Sequence, residues 1–317
     1  MTEVTKNWIA GFWHRIAALV IDCLALGVIG FLLGLVFEGV FVQLGGVGRL
    51  IGFAVGLAYL GVLNSRVGGG QTLGKRVMAI RVSDSSGNAI SIGKSLARYS
   101  VFATPFLLNR AQLPAEVFNS FLIYPIALAI FGGLFSIIYL YIFNRLTRQS
   151  LHDLVVGSFV VNVEAPVERP GSIWKGHLFV VGALVLAALA GTVYLKGLAG
   201  TAPFDKLQAA HAALNAHPDV SSAEVALSTS HVRPMGEEGR KVDFARVQVG
   251  LSVNRIDDES LARELALIAL EAYPDIRSRQ SLRVSLVYGY DIGIWGKHYR
   301  HFYDFDPVVL EGGLNIE

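Results

Sequence analysis

The first long apolar stretch of the chain, from about Gly11 to Val36, holds two charges: Arg15 near its start and Asp22 well inside. An α-helix turns about 100° per residue, so residues seven apart share a face, roughly 10.5 Å apart along the axis. A carboxylate that deep in hydrocarbon costs several kcal/mol unless it is paired, protonated or wet. An ionisable residue placed there marks a functional site by default. The stretch exceeds the 7–15 apolar residues of a signal peptide and has no A-x-A-like site after it, so it is expected to be a retained helix.

Three further runs qualify, or nearly so, for a bilayer crossing, which takes about 20 mostly apolar residues. They are Gly48–Leu63, Phe121–Phe143 and Leu178–Leu195, beside a first span read as Arg15–Val36. A shorter run, Leu96–Leu108, contains Arg98 and Pro105 and reads as a fifth helix, tilted, half-length or interfacial. Composition agrees: 53% of the 317 residues are hydrophobic and 16% charged, against about 25% charged in soluble domains.

The charge is uneven. Residues 1–197 carry 15 Lys+Arg against 8 Asp+Glu, and residues 198–317 carry 12 against 17. A basic membrane half therefore precedes an acidic, soluble-looking half. Arg66, Lys75, Arg76, Arg81, Lys94 and Arg98 crowd the segment Ser65–Arg98 against the single acid Asp84, which places that loop in the cytoplasm. Arg145, Arg148 and Lys175 do the same for 144–175, whereas Glu38–Gly46 has no Lys or Arg and should face out. Consistency then requires Leu96–Leu108 to cross, with Asn109–Glu116 as an outer turn and residues 198–317 outside. The expected organisation is a membrane helical bundle over 1–165, a linker and last helix over 166–198, and an extracytoplasmic α+β domain over 199–317.

The last part reads α-β-β-α-β-β. Pro203 opens a helix to about Asn215. Val220–Ser228 and Val242–Val253 alternate like strands around a turn at Gly236–Arg240. Asp257, Asp258 and Glu259 favour a helix start, Pro274 stops that helix, and Ser281–Gly289 and Ile292–Tyr303 read as two more strands. A small antiparallel sheet with two helices on one face fits this order. In the membrane half, Val77–Val82 and Gly157–Val163 are rich in β-branched residues and too short to span. They are expected to pair as a small cytoplasmic sheet, with Ser85-Ser86-Gly87-Asn88 as a turn.

Several motifs can be weighed. Gly69-Gly70-Gln71-Thr72-Leu73-Gly74-Lys75 matches G-x-x-x-x-G-K, but Arg76 stands where a nucleotide-binding loop needs a hydroxyl, and a β-like run follows where it needs a helix. A Gly-rich re-entry at the membrane surface, with Lys75 and Arg76 near lipid phosphates, suits the composition better. His298-Tyr299-Arg300-His301 puts its histidines on opposite faces of a strand, and the lone Cys23 permits neither a disulfide nor a Cys-based zinc site. Ser150-Leu151-His152-Asp153 holds the residue types of a catalytic triad, but as neighbours in sequence. No catalytic, metal or cofactor site is expected, and no nucleic-acid partner.

The run Gly11-Phe12-Trp13-His14-Arg15-Ile16-Ala17-Ala18-Leu19-Val20-Ile21-Asp22 resembles the start of the RDD family of membrane proteins. Gly70-Gln71-Thr72-Leu73-Gly74-Lys75-Arg76 is similar to its loop motif, and Arg148-Gln149-Ser150-Leu151-His152-Asp153-Leu154-Val155-Val156-Gly157 to its later one. The resemblance covers about residues 8–163. It implies that Arg15 and Asp22 stand for the family's Arg and first Asp and Asp153 for its second, with Cys23 where an adjoining acid would be. Transport of an unidentified ligand is the role proposed for the family, and some members are linked to Na⁺/H⁺ exchange. The expected function is therefore transport of a solute or ion, or its modulation. Asp22 would be the titratable group, with Arg15 and Asp153 as its partners and a proton or monovalent cation as ligand. The competing expectation is a membrane-anchored scaffold or sensor whose outer domain binds a protein.

Overall fold

The computed structural model describes residues 7–109, 117, 120–201, 203–232 and 240–312. It divides into two compact units: one holds residues up to Phe37, Gly46–Tyr194 and Asp291–Gly296, the other Glu38–Gly45, Leu195–Tyr290 and Lys297 onward.

Helix α1 (Phe12–Leu44) is inside-out by the standards of a water-soluble helix. Arg15, Ala18, Asp22 and Leu26, spaced three or four apart, are buried, while Val20, Leu24, Val28 and Leu35 are exposed. A helix whose charges turn inward and whose large apolar side chains turn outward suits a hydrocarbon solvent. Its backbone departs from helical geometry at Phe37, and Gly45, with φ +50°, ends it in the left-handed region that favours glycine. A short 3₁₀ turn leads into α2 (Arg49–Gly56), which continues as a π-helix through Leu57–Val62.

Among the described residues, three helical stretches are long and apolar enough to cross a membrane: Phe12–Val62, Ile123–Phe143 and Lys175–Leu198. The first is 51 residues long, roughly 75 Å at 1.5 Å per residue, against about 30 Å of hydrocarbon. Its break at Gly45–Gly48 gives it two arms. Helix α4 (Ile92–Leu108) has 17 residues and is not among the three. Beyond Asn109, the turn expected to end at Glu116 lies outside the described residues. Helix α5 (Ile123–Phe143) also carries a π-helical stretch, at Leu128–Gly133.

The expected small sheet is present: β1 (Ile80–Ser83) pairs antiparallel with β2 (Phe159–Asn162). Ile80, Val82 and Val160 pack with Ala10, Ala18 and Ile90, tying the sheet to the start of α1. The strand is shorter than its β-branched run suggested. Leu73–Val77 forms a short helix, α3, because Thr72 caps it by accepting a hydrogen bond from the Lys75 amide. The turn beyond β1 is held by Asp84, whose Oδ1 accepts from the Ser86 and Asn88 amides. Helix α6 (Leu151–Val156) opens on a capping box of Ser150 and Asp153. Helix α7 (Lys175–Ala199) follows β2.

The second unit carries a four-stranded sheet in the order β3 (Val220–Val232), β4 (Arg240–Leu251), β5 (Ser281–Asp291), β6 (Gly296–Phe305). Gly236 to Gly239, in the expected β3–β4 turn, lie outside the described residues. Two helices, α8 (Phe204–Asn215) and α9 (Glu259–Ala272), supply the expected α-β-β-α-β-β order, and α10 (Pro307–Gly312) adds a last turn. The sheet is mixed, not antiparallel: β4 and β5 run parallel, with Ala245 opposite Leu282 and Val249 opposite Leu286. The reason is the crossover through α9, which returns the chain to the same end of the sheet. Period-two residues Ala245, Val247, Val249, Leu282, Val284 and Leu286 meet Leu261, Leu265, Ala269 and Leu270 of α9 and Leu214 of α8 in one core. Each buried leucine there contributes about 1.5–3 kcal/mol.

Candidate functional site

The site lies in the first unit and is built around two buried carboxylates. Asp22, 1% exposed, is held by donors from the glycine-rich loop and α2. Thr72 Oγ1 donates to its Oδ2 at 2.6 Å, and the Gly74 amide to its Oδ1 at 2.8 Å. Tyr59 Oη donates to Oδ1 at 2.9 Å from within the π-helical stretch. A π-turn rotates the residues after it relative to an α-helix, and such turns recur at functional sites. The loop itself needs its glycines. Gly69 and Gly70 sit at φ +69° and +77°, and a Cβ on Gly74 would run into the Ala18 carbonyl and the Asp22 carboxylate.

Asp153, fully buried, is the hub of the second cluster. Arg98 Nε donates to Asp153 Oδ1 at 2.8 Å, with Nη2 in ion-pair contact with the same oxygen at 2.8 Å, and Arg15 Nη2 donates to Oδ2 at 2.9 Å. The Ser150 amide and the Ser158 hydroxyl each add a bond at 3.2 Å. Arg15 also donates to the Arg148 carbonyl, and its guanidinium stacks 5.0 Å from the centre of the Tyr141 ring. Burial opposes the charge of Asp153, but Arg98 and Arg15 overcome it and hold the carboxyl below the usual carboxylate range. His152 Nε2 lies 3.5 Å from Asp153 Oδ2. Burial, with Arg98 and Arg15 nearby, pushes this imidazole down to about 3, so it is neutral at physiological pH.

The two clusters share a cavity of ≈ 80 Å³, lined by Arg15, Asp22, Asn64, Lys75, Arg98 and His152 among others. That is several times the space one water needs. The expected pairing of Arg15 with Asp153 is present. The expected partnership of Asp22 with them is not: within the described residues Asp22 bonds to Tyr59, Thr72 and Gly74, because the capped turn of α3 reaches its carboxylate. Lys75 also departs from expectation. It turns inward, 12% exposed, with Nζ 3.8 Å from Asp22 Oδ2 and 3.5 Å from Thr72 Oγ1, not outward to lipid phosphates. The cause is α3, whose single turn points Lys75 and Arg76 in different directions, leaving Arg76 exposed. Burial, then the charge of Arg98, lowers the Lys75 ammonium to about 8.

Arg98, Tyr59, Thr72 and His152 carry as much of the site as the expected residues. Arg98 had a signal in the sequence, a charge inside an apolar run. Tyr59 had none, since its position depends on the π-turn.

With this geometry in view, the RDD family model matches residues 9–157. Residues 9–157 are thus similar to an RDD domain. Both charge clusters lie within it, and the RDD segment ends at the glycine that closes α6. Together with its apolar helices, the domain makes the chain an integral membrane protein. No curated protein and no solved structure matches it.

Proposed function

We propose that the RDD domain transports a small solute or ion, or modulates such transport, through its charge-lined cavity. The observation that carries this reading is the cavity itself. A pure anchor has no use for a space of ≈ 80 Å³ that reaches a buried carboxylate and three cations. In this reading Asp22 fastens the glycine-rich loop to α1, and Lys75 is the working charge. Lys75 has the longest bonds of the set and a proton it can release near physiological pH.

The proposed topology places the N-terminus and Ser65–Arg98 in the cytoplasm, has α4 cross despite its 17 residues, and puts residues 198–317 outside in the cell membrane's exterior compartment. The multi-pass bundle then presents the cavity's charged end, at Arg15 and Asp153, to the cytoplasmic side.

The scaffold reading has one observation in its favour: both carboxylates are filled by donors, as in an ion-pair network that fixes helix register. Flux into vesicles reconstituted with the full chain separates the two. Uptake above that of protein-free vesicles supports transport, and its absence under proton and salt gradients of either direction favours the scaffold with an outer protein partner.

A further inference from the structure

The charged groups that line the cavity beside its apolar side chains are mostly donors, and the carboxylates nearby are already engaged. Asp22 accepts from Tyr59, Thr72 and Gly74, and Asp153 from Arg15, Arg98, Ser150 and Ser158. Hard cations need several oxygen ligands at once, and these carboxylate oxygens are already engaged. The cations are not filled in the same way. Arg98 directs Nε and Nη2 to one oxygen of Asp153, although a guanidinium has five N–H groups. Lys75 has three donors, and its neighbours Thr72 Oγ1 and Asp22 Oδ2 lie at 3.5 and 3.8 Å, longer than a good charge-assisted bond.

The charges do not balance either. Arg15, Lys75 and Arg98, all largely buried, face Asp22 and Asp153, which leaves one positive charge in excess around the cavity. An uncompensated buried charge is expensive. A second observation points to occupancy. Asn64 Oδ1 and His152 Nδ1 are buried with no hydrogen-bond partner, and both residues line the cavity, 4% and 5% exposed. A neutral His152 whose Nε2 faces Asp153 presents Nδ1 as an acceptor. Two orphan acceptors call for water, and the excess charge calls for an anion.

We propose that the cavity binds one small monovalent inorganic anion of chloride size, held by Lys75, Arg98 and Arg15 and hydrated by waters on Asn64 and His152. The role of the site rests on the transport reading; its existence does not.

The test is thermal unfolding of the full chain in lipid nanodiscs at constant ionic strength, with gluconate exchanged for chloride or nitrate. Chloride at about ten times its dissociation constant should raise the unfolding temperature by roughly 2–4 °C. The shift should persist when choline replaces sodium. It should vanish in Lys75→Met and survive in Arg76→Gln, whose side chain is exposed. If Lys75→Met does not fold, the salt exchange on the unmodified protein still decides. No shift with either anion overturns the proposal, and so does a shift that follows sodium instead of the anion. An anion shift without flux in vesicles keeps the site and removes transport; flux without an anion shift keeps transport and removes the site.

Discussion

Arg98 Nε lies 2.8 Å from Asp153 Oδ1, joining two residues 55 apart in sequence across α4 and α6. Arg15 reaches the other oxygen of the same carboxylate from α1. One fully buried acid thus sets the mutual position of three helices. Asp153→Ala leaves two guanidinium groups without their counter-charge, and loss of one partner in a buried pair typically costs about 3–5 kcal/mol. Thermal unfolding in detergent should show that loss. A variant as stable as the unmodified protein would show that the cluster does not hold the bundle.

Lys75 gives a pH dependence with a definite sign. Its folded value, about 8, lies below the unfolded value near 10.5. Between these the unfolded chain binds the proton and the folded chain does not, so the Lys75 contribution to stability rises with pH across that window. The difference in stability between the unmodified protein and Lys75→Met should therefore shift in favour of the unmodified protein from pH 8 to pH 10 in gluconate buffer. Parallel curves would mean that Lys75 keeps its ordinary affinity for protons.

Gly74 is packed against the Ala18 carbonyl and the Asp22 carboxylate. Gly74→Ala should push the loop off α1 and destabilise the protein by about 1–3 kcal/mol. Gly27→Ala, on the same helix α1 with open space around it, should be neutral or stabilising. Equal effects of the two changes on unfolding would refute the close contact of loop and helix.

The proposed topology places residues 198–317 outside. Protease added to intact cells or spheroplasts should cut within this region, and the basic loop Ser65–Arg98 should resist until lysis. Protection of the C-terminal unit in intact cells would reverse the orientation.

Much of the architecture was legible in periodicity and charge. Alternating apolar residues named the four strands of the second unit, and Asp258 and Pro274 bracketed α9. The parallel pairing of β4 and β5 was not legible, because alternation gives a strand's faces but not its direction. In the site, the spacing of Arg15 and Asp22 put both on the cavity, and the capped turn of Ser150 and Asp153 brought Asp153 to Arg15. The inward turn of Lys75 was hidden because the strand-like run Val77–Val82 masked the Thr72 cap, which makes a helix of residues 73–77. Tyr59 depended on a π-turn that leaves no mark in hydrophobic spacing.

Lys75, inside the cavity, is the proposed working charge of a transport site. The most direct measurement compares proteoliposomes carrying folded Lys75→Met and folded Arg76→Gln with the unmodified chain, following chloride and proton flux together. Lys75→Met should lose flux at least roughly tenfold, equivalent to about 1.4 kcal/mol, and Arg76→Gln should stay within about twofold of unmodified. Unchanged flux in well-folded Lys75→Met protein would contradict that role.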